Sequence, residues 1–158
     1  MEAKPPEKFL RLKAEIESHR RLSGYYLIKW VELSRFCAHE IDRAQLLDDL
    51  FQFFDDQKWP PIEHRPKDQS WADYATDMPT ARRMAVDALA GGTEVGHLRD
   101  TISRNDANDY FDRFDALFPA PKRYYIEMGL VDPKYVFMHG VAIVSNDSAG
   151  LLWVVESD

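Results

Sequence analysis

Chemistry needs side chains that carry a proton, a charge or a lone pair, and this chain offers few of them in useful arrangements. His39 and Glu40 are adjacent, with Asp42 two residues on. An imidazole beside a carboxylate suits a zinc site or a general base, but the zinc-protease pattern needs a second histidine four residues after the first. Arg43 holds that position. The distant His139 would have to complete any such set, and consecutive helix residues point in different directions. The expectation is therefore no metal and no cofactor, with His39 at a helix end among capping carboxylates. Cys37 is the single cysteine. A thiolate nucleophile needs a neighbouring base or positive field, whereas the place of Cys37 on an apolar helical stripe reads as a small buried residue. The chain holds no phosphate-binding glycine loop, GxGxxG fingerprint or nucleophile elbow.

Arg35 and His39 lie one helical turn apart, separated by Phe36, Cys37 and Ala38. In this the segment resembles the arginine and histidine pair of the helical HEPN ribonucleases. That family places more residues between the two and usually a polar one next to the arginine, so no membership is drawn. The resemblance implies His39 as general base and Arg35 stabilising the charge of a phosphorane. Arg35, His39, Glu40 and His139 are thus the candidate catalytic residues of an alternative reading, a helical hydrolase or ribonuclease-like enzyme.

Asp106, Asp109, Asp112 and Asp115 recur at steps of three. At about 100° per residue they sweep one side of a helix, while Ala107, Tyr110, Phe111, Phe114, Leu117 and Phe118 fill the other. The glycine and terminal glutamate of a calcium-binding EF-hand loop are missing. The stripe is either a solvated face or an acidic strip that docks a basic partner. Aspartate is a poorer helix former than glutamate, which gives the docking reading some force beside the solvated face. Trp59 and Trp71, in a proline-interrupted stretch, are candidate aromatic anchors for the same partner. Residues 79–104, a helix, Gly91 and Gly92, then a second helix, have the outline of a helix-turn-helix. Glu94 and Asp100 would repel phosphates from the recognition helix, and an ordinary helical hairpin is expected.

The elements that must position these residues follow from periodicity. Phe9, Leu12 and Ile16 mark an amphipathic helix over 7–21. From Tyr25 a stripe through Tyr26, Trp30, Leu33, Cys37, Ile41, Leu47, Leu50 and Phe54 predicts helix, broken near Glu40, with Asp42 and Gln45 as a capping box. Pro79 opens a helix that Gly91 and Gly92 stop, Thr93 caps another to about Ser103, and Asn105 caps the aspartate helix that Pro119 ends. A short helix with Arg123, Tyr124 and Tyr125 follows between Pro121 and Gly129. Lys134–Val144 and Leu151–Glu156, rich in Val, Ile, Tyr, Phe and Trp, read as a β-hairpin whose two faces both need cover. The predicted class is mainly α, six to seven helices with a C-terminal β-hairpin, or α+β if a further strand pairs with the hairpin. One domain over 1–158 comprises N-terminal core helices at 7–58, a long aromatic loop at 59–78, an acidic helical part at 79–129 and the hairpin at 134–156.

The 158 residues carry 20 Lys and Arg against 27 Asp and Glu, a net charge of −7. That opposes direct nucleic-acid binding, which draws its affinity from cationic side chains. The charge is uneven: residues 1–43 hold nine basic and seven acidic residues, so the acidity belongs to the later part. One cysteine and no apolar run of bilayer length predict a cytoplasmic protein with no membrane association. Small, acidic, aromatic-rich and without a catalytic motif, the chain reads as a protein-binding module. An inhibitor, immunity or anti-defence protein that blocks a basic or nucleic-acid-handling protein partner would have this profile, and a homodimer through the hairpin is a further expectation.

Overall fold

A computed structural model of the chain describes residues 5–19, 25–33, 75–90, 102–126 and 135–157. In chain order these form α1 (Glu7–Glu17), β1 (Tyr25–Glu32), β2 (Ala75–Thr76), α2 (Met78–Leu89), α3 (Arg104–Asp115), β3 (Lys122–Ile126), β4 (Tyr135–Ser145) and β5 (Ser148–Ser157). The strands make one antiparallel sheet in the order β1-β5-β4-β3-β2. The molecule is therefore α+β, which corrects the mainly helical class with six to seven helices.

Two segments read as helical are strands. In β1, Tyr26, Trp30 and Leu33 fall at helical steps, but Leu27 and Val31 supply a second apolar side, and a short run of this kind fits either period. What decides is a partner more than a hundred residues away: all eight residues of β1 pair with β5, from Tyr25 opposite Val155 to Glu32 opposite Ser148. The same holds for β3, where Pro121 and Gly129 suggested a short helix. Tyr124 and Tyr125 favour a pleated surface, and Lys122–Ile126 pairs with Val141–Ser145. Ala75 and Thr76, inside the expected aromatic loop, pair with Tyr125 and Tyr124 as a short edge strand. The hairpin forms, but its turn is tighter than expected: β4 and β5 are joined through Asn146 and Asp147 alone. Ser145 and Ser148 are buried there, and the Ser145 hydroxyl accepts from the Ser148 amide at 3.1 Å. β5 and β4 are flanked by β1 and β3, so both strands find partners within the chain.

α2 and α3 start where a side chain satisfies a free amide. Asp77 accepts from the Thr80 amide at 2.8 Å and precedes α2, with Pro79 in its first turn. Ser103, rather than the expected Asn105, accepts from the Asp106 amide at 3.0 Å and caps α3. α1 has the apolar face the sequence indicates, with Phe9, Leu12 and Ile16 buried, and ends earlier than expected, at Glu17. The remaining expected features (the stripe beyond Leu33, the 42–45 capping box, the tryptophan loop to residue 74 and the helix capped by Thr93) lie outside the described residues, apart from Ile102 and Ser103.

α2 lies across β3, β4 and β5, α1 sits against β1, and α3 packs against α1 and α2. One face of the sheet, Ile28, Tyr124, Val141, Ile143, Leu152 and Val154, joins Leu89, Phe111 and Phe114 of the helices and Phe118 just after α3 in one core. Leu27, Val31, Tyr125, Ala142, Val144, Leu151 and Trp153 alternate with these and point to the opposite face, and they are buried too. Burial on both sides is why these strands read as near-continuous apolar runs. Two glycines make close packing geometrically feasible. A methyl on Gly150 would stand 2.7 Å from the ring tip of Phe118 and 3.1 Å from that of Phe114, and 2.7 Å from the Lys29 carbonyl. A methyl on Gly140 would meet the main chain of Leu152 and lie 2.7 Å from the Trp153 indole.

Candidate functional site

α3 is built to present two different sides. Ala107, Tyr110, Phe111 and Phe114 are buried, and Phe114 meets Phe118 edge to face with centroids 5.1 Å apart. The other side carries the four aspartates, and the structure divides them. Asp106, Asp109 and Asp112 are exposed, whereas Asp115 is turned inward.

Asp115 ties the end of the helix to the sheet. One of its carboxylate oxygens accepts from the Tyr124 hydroxyl at 2.7 Å and pairs with the Lys122 ammonium at 2.8 Å. Lys122 also donates to the main-chain carbonyls of Asp115 and Phe118, at 2.8 and 3.2 Å, so it ties β3 to the turn that ends the helix. Burial, then the bond to Asp115, raises the Tyr124 phenol well above the ordinary tyrosine range. This cluster holds β3 against α3 and is part of the fold.

The outer three aspartates stand over two arginines. Arg82 of α2 pairs with Asp112 at 2.6 Å, and its guanidinium lies 5.1 Å from the centre of the Phe111 ring. Arg113 pairs with Glu15 of α1 and, at 3.6 Å, with Asp109, and it lies 5.9 Å from the Tyr110 ring. Each guanidinium is thus held between a carboxylate and an aromatic face, a geometry that arginine's planar cation suits. The arginine side chains are 31% and 37% exposed, against 57% for Asp112 and 64% for Asp109. The anions form the outer layer. Asp106 occupies the first turn of α3, where the helix N-terminus favours negative charge. Glu15, Asp109 and Asp112 thus share two guanidinium groups, and with the exposed Asp106 on the same helix these residues sum to a net negative charge. Arg104 and Asp87, 2.7 Å apart, add a neutral pair that joins α3 to α2. Beside this surface the Tyr110 hydroxyl and His19 Nε2 form a 2.7 Å hydrogen bond. Burial, then the charges of Glu15 and Asp106, raises the Tyr110 phenol.

Of the partners Glu15, Arg82 and Arg113, only Arg113, standing among the aspartates, was indicated by the sequence. They come from three helices, and only the Asp109 to Arg113 spacing of four was visible in the chain. Of the candidate catalytic residues, Arg35, His39 and Glu40 lie outside the described residues, as do Trp59 and Trp71. His139 lies on β4, where its main chain is opposite Val154 of β5. Among the described residues, no group of three His, Cys, Asp or Glu side chains could hold a metal ion, and no helix is long and apolar enough to cross a membrane. No protein-family model, curated protein or solved structure matches the chain.

Proposed function

We propose that this protein is a cytosolic, non-catalytic binding module of the inhibitor, immunity or anti-defence kind. In this reading the outer face of α3 receives the basic surface of a nucleic-acid-handling partner protein. The layering of charge carries it: Arg82 and Arg113 are engaged from beneath by Phe111 and Tyr110, while Asp106, Asp109 and Asp112 remain at the surface. A cation from outside would meet carboxylates first. Such complementarity chiefly speeds encounter and rejects wrongly charged partners, and it weakens as salt shortens the range of the field, to about 10 Å at 0.1 M. α3 packs against α1 and α2, so the face is formed without a partner, which lowers the ordering cost of association.

The test uses a fluorescently labelled arginine- and lysine-rich peptide as the stand-in for a basic surface, with a glutamate-rich peptide as control. The full chain is expected to bind the basic peptide at low salt, to lose affinity as salt rises and to ignore the acidic one. The Asp106→Lys/Asp109→Lys variant is expected to lose most of that binding. Equal binding of the basic peptide by the variant and the original chain would overturn the assignment of this face.

A further inference from the structure

We draw no further inference here: the strongest candidate, the outer edge of strand β1 at one end of the sheet, carries nothing because nothing in the structure shows what covers it.

Discussion

On its inner side α3 lowers Phe114 onto Gly150 of the sheet, where Phe118 of the turn after the helix meets it, and on its outer side it holds out Asp106, Asp109 and Asp112. Both sides belong to one helix of twelve residues, yet they obey different rules. On the inner side Gly150 has no room for a methyl group, and Phe111 and Phe114 lose all contact with water. The outer side consists of ion pairs between partly exposed groups, where the Coulomb gain is offset by solvent screening and by the cost of ordering long side chains. Stability should therefore reside in the aromatic contact, and the charged face should be replaceable with little effect on folding. A surface that folding does not require in detail is one that recognition can shape.

The hardest way to break this contrast is to remove an inner ring. Phe114→Ala is expected to cost about 3–5 kcal/mol in urea unfolding, because the fully buried ring leaves a cavity that the sheet cannot fill. A loss as small as that of a surface substitution would place the stability elsewhere. Gly150→Ala approaches the same contact by overpacking and should cost about 1–3 kcal/mol, since one obstacle is the Lys29 main chain and the others are two rings already packed together.

Alkaline titration probes the buried contacts of α3 with its neighbours. Tyr110 and Tyr124 have raised phenol pKa values in the folded chain, so folding keeps them protonated where the unfolded chain would ionise them. Their contribution is present below the ordinary value of about 10 and is lost as pH rises from there through their folded values. Tyrosinate absorbance should show these two ionising above the ordinary tyrosine value and together with loss of structure. Simple titration of all tyrosines near their ordinary value, with the fold intact, would contradict their burial. Asp77 behaves oppositely: hydrogen bonds from Thr80 lower its carboxyl, so its support for α2 holds above the usual carboxylate value and fades as pH falls through the lowered one. A smaller effect is expected from Ser103→Ala, about 1 kcal/mol, because the Asp106 amide loses its acceptor. Restoration of most of this loss by Ser103→Asp would identify capping as the cause.

The sequence was most informative where local pattern and tertiary need agree. α1, α2 and α3 each have a single apolar face, Pro79 marks the start of α2, and the hairpin combines β-branched residues with a turn-prone stretch that includes Asn146 and Asp147. It was least informative for β1 and β3. Their residues are apolar at both the helical and the strand period, and their conformation is settled by β5 and β4, which lie far along the chain. For the candidate site, the exposure of Asp106, Asp109 and Asp112 was legible from helical geometry. The inward turn of Asp115 was not, because Lys122 and Tyr124 reach it only once β3 is a strand. Nor could the spacing of residues along one helix show that Arg82 and Glu15 would arrive from two others.

The comparison between the two sides of α3 is tested most directly by unfolding the Asp106→Lys/Asp109→Lys variant in urea beside the unaltered chain, with binding of the basic peptide read on the same preparations. The account predicts a stability within about 1 kcal/mol of the original, the remainder reflecting the lost helix-end and Arg113 interactions, together with loss of most peptide binding. A variant that unfolds several kcal/mol more easily, or one equally stable that binds the peptide unchanged, would contradict it.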